Sequence, residues 1–275
     1  MDGTSRAFPV GSHLDPGHHL EAIWRACVGG YEVPDSTIER MRRFYRGSIR
    51  YMDDWLGRLL ERLDGTGRLD ETLVVVISDH GENFGEGGLL AHGLSLDNRL
   101  IHVPLVVAGP GSGAFSITSL AELPRALAGA IGLTDHPWID ELPRAVGVAQ
   151  FDPPADDPDD PRVVETVERW GLGEEAVEKL TTPMACAVSG RLKVIRRGER
   201  EQVFDLDRDP LELAPVSPDE LSQEAAAPLS ELRRALDHPA MTAGAPELRQ
   251  QQRPSQASEE ELADIEERMK LLGYM

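Results

Sequence analysis

The feature that most constrains the fold is the stretch of residues 78–82, which reads Ser-Asp-His-Gly-Glu and directly follows the apolar run 73–77. Five consecutive Leu, Val and Ile residues predict a buried strand. Asp79 and His80 therefore come where that strand ends, which is where open α/β sheets place their active sites. We expect a layered α/β domain with a functional site at the exit of this strand.

Asp79 and His80 are the candidate metal ligands. A carboxylate and an imidazole can share one divalent ion, and adjacent residues can reach it where a strand ends and side chains stop alternating across the sheet. The alternative is a turn without metal, in which Asp79 bonds to backbone amides. Calcium, manganese and zinc accept such ligands to different degrees, so the residue types alone leave the ion open.

His92 is a further candidate site residue. It lies on the loop after His80, within residues 90–93, and a second apolar strand at 103–108 follows. An imidazole can donate a hydrogen bond to oxygens that gain charge in a transition state. The alternative is a histidine of a surface loop. His102, which precedes the second strand, is expected to pack or hydrogen-bond.

Periodic patterns predict the remaining elements. Residues 36–63 and 120–131 repeat apolar side chains at helical spacing, and 163–180 is a further helical stretch. Short strand-like runs separated by glycine turns then predict an antiparallel meander over residues 184–206. The β/α alternation of the first part indicates a layered α/β domain.

Four segments follow from these patterns. Residues 1–35 are expected to be a loop or a truncated remnant, 36–150 the part of the α/β domain that carries the site, 151–213 a small C-terminal antiparallel subdomain, and 214–275 a mobile linker with a terminal helix at 258–272. The Pro- and Asp-rich run 151–161 is predicted to be an exposed loop, because proline removes ladder donors and like charges repel.

Charge and hydropathy exclude some classes of partner. A net charge of -20 over 275 residues argues against binding to nucleic acid, because the phosphate backbone would be repelled. No apolar run approaches the ~18 residues of a membrane helix. The first residues show neither a basic leader nor an apolar core segment, so the expected location is the cytoplasm. Two cysteines, Cys27 and Cys186, are too few for a disulfide framework and indicate reduced thiols.

Three segments in the same order carry a resemblance to the sulfatase family of the alkaline phosphatase superfamily. Residues 45–111 resemble the helix, strand and Asp-His-Gly segment of that family, 201–212 resemble its Tyr-Asp-Leu and Asp-Pro-x-Glu segment, and 265–275 resemble its Leu-Gly-Tyr ending. The resemblance implies an alkaline phosphatase-like layered sheet with helices, present in part, and a small C-terminal antiparallel subdomain. It also implies metal-dependent hydrolysis of sulfuric esters.

The resemblance assigns roles to the candidate residues. It implies that Asp79 and His80 bind a divalent metal ion, with calcium the first choice and manganese or zinc the second. It implies that His92 contacts the transferred group or the leaving oxygen, as both a catalytic and a substrate-binding residue. Many relatives read Gly-Glu-His-Gly where this chain has Gly-Glu-Gly-Gly at 85–88, so one loop histidine of the family pattern is replaced.

The nucleophile of the family is missing from the sequence. Sulfatases carry it in a Cys/Ser-x-Pro-x-Arg motif, and neither Cys27 nor Cys186 stands in one. The chain therefore resembles the C-terminal portion of a sulfatase. A missing N-terminal half is a possible partner, and no residue of this chain is assigned as the nucleophile. Full-length relatives are often exported.

Three functions stay open at this point. The first is hydrolysis of a sulfate ester, carried on a small molecule or a glycan. The second is hydrolysis or transfer of a phosphate mono- or diester, because both tetrahedral anions suit the same residues. The third is a non-catalytic fragment or pseudoenzyme, which the missing nucleophile would explain.

Overall fold

The structure is a computed structural model that describes residues 16–135, 146–217, 221 and 223–237. It is a mixed α/β structure. Its helices are α1 (Pro16–Cys27), α2 (Asp35–Gly65), α3 (Asn98–Ile101), α4 (Leu123–Ala130), α5 (Pro161–Trp170), α6 (Glu174–Thr181) and α7 (Gln223–Leu236). Its strands are β1 (Val74–Ile77), β2 (Asn83–Phe84), β3 (Leu90–Ala91), β4 (Leu105–Ala108), β5 (Gly147–Phe151), β6 (Met184–Ser189), β7 (Leu192–Arg197) and β8 (Arg200–Asp205).

A four-stranded antiparallel sheet in the order β5-β6-β7-β8 is the largest sheet. Two-residue turns join β6 to β7 and β7 to β8, and each turn begins with a glycine at positive φ, Gly190 and Gly198. The predicted C-terminal meander is confirmed. β5 begins at Gly147 and pairs with β6, so this sheet also uses residues from before position 150.

Apolar layers cover both faces of the four-stranded sheet. On one face, Leu229, Leu232 and Leu236 of α7 pack against buried residues such as Ala187 and Val194. A second core lies on the other face of the sheet. Its strand residues alternate with those of the first core, and Leu96 packs with them; the strand residues are Met184, Cys186, Ile195 and Phe204. The period of two in β6 and β7 produces both layers.

β1 and β4 pair antiparallel in a separate two-stranded sheet, with Val76 opposite Val106. Both predicted strands therefore exist. The prediction that they are buried is wrong within the described residues, because Val76 and Val106 are 38% and 60% exposed. The described chain places no second layer over that face.

The long predicted helix 36–63 is confirmed as α2, and 120–131 is confirmed by a 3-10 turn at Leu120–Glu122 that leads into α4. The predicted helical stretch 163–180 is two helices, because Gly171 adopts a left-handed conformation and ends α5.

Three segments predicted as loops or linkers contain helical or buried residues. The expectation of a loop over residues 1–35 is wrong for α1, whose C-terminal residues Ala26 and Cys27 are buried. The expected linker from residue 214 onward contains α7, which packs on the sheet. In the predicted exposed run 151–161, Pro153 and Ala155 are buried, although residues 156–159 are exposed as predicted. Residues 1–15 and the predicted terminal helix 258–272 lie outside the described residues.

Within the described ranges, no helix combines the length and the apolar character needed to cross a bilayer.

Candidate active site

Asp79 and His80 lie together immediately after β1. The backbone N–H of His80 donates to Asp79 Oδ1 at 2.9 Å, and His80 Nε2 is 3.6 Å from Asp79 Oδ2. His80 Nδ1 is 2.8 Å from the carbonyl oxygen of Gly81. A carbonyl can only accept, so Nδ1 carries a proton, and Nε2 is the ring nitrogen that could bind a ligand.

His92 stacks on His80. The two ring centroids are 4.1 Å apart and the planes are inclined by 27°. On its other side, His92 Nδ1 is 3.5 Å from Glu82 Oε2, and the Glu82 side chain is largely buried. The structure therefore brings Asp79, His80 and His92 to one place, and Glu82 accompanies them as the anionic neighbour of His92.

The loop that holds these residues is fixed by a close backbone contact at Gly81. Its N–H donates to the carbonyl of Leu100 at 2.8 Å. A Cβ at this position would lie 1.8 Å from the carbonyl oxygen of Arg99, which no side chain could occupy without moving backbone. The glycine of the Asp-His-Gly sequence is thus required by the approach of α3.

A buried ion pair in turn holds α3. Lys193, on the middle of the four-stranded sheet, is fully buried and forms an ion pair with Glu212, which is also buried. The same ammonium donates to the carbonyl of Leu96 at 2.6 Å and to Asn98 Oδ1 at 3.1 Å. Glu212 Oε2 accepts the backbone N–H of Asn98 at 2.5 Å and so satisfies a free donor at the start of α3.

The site opens onto a cleft of about 520 Å³ between the β1 exit and the four-stranded sheet. Asp79, His80 and His92 line it at one end, and apolar side chains such as Ile101 and Val148 line much of the rest. His102, predicted to pack or hydrogen-bond, also lines this cleft and is exposed. An organic group attached to an ester could therefore lie beside the histidines.

Asp79 and His80 fit two ligands of a metal ion but not a complete set. Their side chains are 86% and 41% exposed, so both donors are open to an incoming ion. Among the described residues, no three His, Cys, Asp or Glu side chains converge on one point. Zinc takes about four ligands and calcium about six to eight, so the remaining donors have to come from residues beyond this pair.

Neither cysteine is placed to act as a nucleophile. Cys27 lies in the core, where its thiol donates to the Leu90 carbonyl at 3.3 Å, and burial raises its pKa. Burial also raises the pKa of Cys186 to about 11. At neutral pH both are therefore neutral thiols.

Sequence reasoning did not find the parts of the site that depend on distant segments. In the sequence, Lys193 reads as an ordinary strand residue, and Glu212 stands out only as a member of a family segment. The place of Glu82 beside His92 follows from the β2–β3 hairpin, which sets residues 82 and 92 next to each other. A lysine inside an apolar strand was the available signal, since buried lysines need an anionic partner.

Comparison with known protein families gives a match to the sulfatase family model over residues 7–124. Choline-sulfatase from Rhizobium meliloti (strain 1021) is 31% identical over 206 residues, which cover 71% of this chain and 37% of that protein. The multifunctional alkaline phosphatase superfamily protein PehA from Trinickia caryophylli is 38% identical over 100 residues, 34% of this chain and 19% of its own length. The chain thus spans little more than a third of the choline-sulfatase.

Among solved structures, the phosphonate monoester hydrolase SpPMH from Silicibacter pomeroyi shares the fold. The match has a TM-score of 0.50 and 22% identity, and it covers 76% of this chain and 43% of that chain.

Proposed function

Since the chain belongs to the sulfatase family of the alkaline phosphatase superfamily, we propose that it serves the hydrolysis of a sulfate ester at the Asp79, His80 and His92 site. The observation that carries the proposal is the stacking of His92 on His80 at the exit of β1, with Asp79 beside them. His92 comes from a different loop than the adjacent pair Asp79 and His80, so their convergence depends on the fold. They offer two metal donors and one proton donor at the end of one cleft.

Asp79 and His80 would hold a divalent ion in this proposal. When bound, such an ion polarises the oxygens of the transferred group. Other contacts in this chain position the two metal donors. The Gly81 carbonyl fixes the tautomer of His80, and the close packing of Gly81 on α3 fixes the loop that carries both donors. Calcium is our first choice by family, and manganese or zinc the second.

His92 would bind the ester and give a proton to its leaving oxygen. The Glu82 carboxylate, 3.5 Å from Nδ1, orients the ring and favours a proton on that nitrogen. The Nε2 atom is then the one that exchanges a proton with the substrate. Charge that grows on the leaving oxygen during cleavage would be stabilised by this donor.

The nucleophile of the reaction is not among the residues of this chain that match the family. Neither thiol is ionised or exposed, and no Cys/Ser-x-Pro-x-Arg motif occurs in the sequence. Turnover would therefore require a nucleophile from another segment, together with further metal donors. We expect the 275-residue chain by itself to show no hydrolysis of sulfate esters, because losing a nucleophile costs several orders of magnitude in rate.

Phosphate or phosphonate ester hydrolysis is the second candidate function. The observation that favours it is the fold shared with a phosphonate monoester hydrolase, together with the similarity to a multifunctional member of the superfamily. Comparing the rates for 4-nitrophenyl sulfate and 4-nitrophenyl phosphate in a reconstituted protein would distinguish the two substrates. If the phosphate ester were cleaved faster than the sulfate ester, a phosphate ester would replace the sulfate ester as the proposed substrate.

Titration calorimetry with Mn²⁺ and Ca²⁺ tests the site itself on the chain as it exists. We expect weak binding that raises the melting temperature, because the ion binds the native state preferentially. Asp79→Ala should abolish this binding, whereas Asp70→Ala, an exposed aspartate before β1, should leave it unchanged. Equal binding by both variants would show that the ion lies elsewhere.

A further inference from the structure

His92 lies on a turn whose backbone is strained on both sides of it. Ala91 and Leu94 have positive φ values of 58° and 61°, although neither is a glycine. Residues with a side chain rarely adopt this left-handed region, and alanine and leucine have no polar group with which to stabilise it. Such a conformation persists only where the surrounding structure imposes it. Contacts from elsewhere in the fold therefore hold residues 91–94, which we call the His92 turn.

Arg197 of β7 contacts the C-terminal end of the His92 turn. Its Nη2 atom donates a hydrogen bond to the carbonyl of Leu94 at 3.0 Å. Among the described residues no carboxylate accepts a hydrogen bond from this guanidinium, and its Nη1 atom is buried without a partner. Burial lowers the pKa of Arg197. Burying a cation without a bonded carboxylate is costly, and the contact with Leu94 is what this arrangement provides.

Cys27 of α1 contacts the chain where it enters the His92 turn. Its thiol donates to the carbonyl of Leu90 at 3.3 Å and accepts from the N–H of the same residue at 3.2 Å. Both residues are buried. Because one thiol bonds both backbone polar groups of Leu90, it fixes the orientation of the residue directly before Ala91.

The two contacts leave the imidazole of the turn facing the candidate site. Leu90 and Leu94 are buried in the same core, whereas the His92 side chain is 53% exposed and stacks on His80. If Ala91 or Leu94 returned to a negative φ, the direction of the chain would change and the imidazole would leave His80. The position of His92 therefore depends on both ends of the turn.

We propose that Arg197 and Cys27 are positioning residues for His92. Together they keep the His92 turn in its left-handed conformation and so hold the imidazole against His80. Both side chains lie outside the residues that line the cleft, so each acts through the turn and not on a bound molecule. This inference rests on the proposed function, because the position of His92 matters to an ester only if His92 contacts one.

Nuclear magnetic resonance of the 275-residue chain with isotope-labelled histidine tests the proposal, without any ester or metal ion. Because the two rings stack, the ring current of His92 displaces the signal of the His80 ring protons. His92→Ala gives the position of that signal when the stacked ring is absent. We expect Arg197→Met and Cys27→Ala each to move the signal most of the way to this reference. Cys27→Ser should keep the parental signal, because a hydroxyl donates and accepts as the thiol does.

Cys186→Ala and Arg196→Met are the matched controls. Cys186 is a buried thiol like Cys27, but it lies in a core of the four-stranded sheet. Arg196 is next to Arg197 on β7 and pairs with carboxylates instead of the His92 turn. Both controls should keep the parental signal.

A parental signal in a folded Arg197→Met or Cys27→Ala variant would overturn the proposal for that residue, with circular dichroism reporting the fold. An equal displacement in the two controls would overturn it as well, because the turn would then respond to any loosening of a core. If Cys27→Ala does not fold, Cys27→Val takes its place, since it fills the space and makes no hydrogen bond. No ester takes part in this measurement. A reconstituted protein that cleaves no ester would thus refute the proposed function and leave the positioning of His92 standing.

Discussion

Glu212 and Asn98 are separated by 114 residues, and Glu212 Oε2 accepts the backbone N–H of Asn98 at 2.5 Å. Glu212 also pairs with Lys193, and it adopts a positive φ of 55°, which is uncommon for a residue with a side chain. Through this contact the C-terminal sheet fixes the start of α3, and α3 fixes Gly81 beside the candidate ligands. The family segment at 201–212 thus serves the site from a distance.

Replacing Lys193 should destabilise the protein strongly. Lys193→Met leaves the Glu212 carboxylate buried without its cation, and we expect the free energy of unfolding to fall by about 3 to 5 kcal/mol. Lys179→Met is the matched control. Its partner Glu175 is 81% exposed, so the loss there should be about 1 kcal/mol or less. Urea unfolding measures both. Adding Glu212→Gln to Lys193→Met should recover part of the loss, and a single variant as stable as the control would contradict the buried-pair argument.

Gly81→Ala should disturb the site loop. The new Cβ would meet the Arg99 carbonyl at 1.8 Å, so the loop or α3 has to move, at a cost of about 1 to 3 kcal/mol. Gly93→Ala, on the neighbouring loop, has open space around its Cβ and should change stability little. Thermal unfolding and Mn²⁺ titration together measure the effect. If Gly81→Ala had the stability and the ion affinity of the parent, the contact with α3 would not be what holds this loop in position.

Helix α7 should contribute to global stability, contrary to the linker predicted for this region. Leu232 is fully buried against the four-stranded sheet, and Leu232→Ala should cost about 2 to 5 kcal/mol. Leu213→Ala is the control, because that side chain is 75% exposed and its loss should stay within about 0.5 kcal/mol. If the two variants unfold at the same urea concentration, α7 is not part of the cooperative unit.

Glu201 should make stability depend on acid pH. Burial by itself would raise its pKa, but hydrogen bonds from Arg233 and Arg196 outweigh burial and lower it. A carboxyl with a lowered folded pKa stabilises the fold above its unfolded pKa, and this contribution disappears as the pH falls through the folded value. Glu201→Gln should therefore be less stable than the parent at pH 7, with a difference that narrows below about pH 4. A pH-independent difference would assign the effect to packing.

The sequence predicted the elements whose patterns are local. The long helix α2, the helix at α4 and the meander β6–β8 follow from periodicity and from glycine turns that require only neighbouring residues. The sequence patterns missed α1 and α7 because the burial of each depends on distant partners, Leu90 for α1 and the sheet for α7. Tertiary packing, which no local pattern reports, decided both.

In the candidate site, too, local patterns predicted some features, and contacts between separate segments determine the others. Asp79 and His80 were identified from the strand that precedes them, and His92 from its loop, and their roles stay predictions. Their arrangement depends on contacts between segments that are separate in sequence: His92 on His80, α3 on Gly81, and Glu212 on α3. Spacing in sequence carries no information about such contacts. The ion pair between the buried Lys193 and Glu212 can be recognised only from the three-dimensional positions of both segments.

The tight glycine turns of the four-stranded sheet bear on the order in which the chain folds. Because β6, β7 and β8 follow one another with only two residues between them, their pairing closes very small loops and costs little chain entropy. β5 and the segment around Leu96 have to arrive from much farther away. We expect the amides of β7 to gain protection from solvent exchange earlier in refolding than those of β1, and pulse-labelled hydrogen exchange that shows the reverse order would refute this sequence of events.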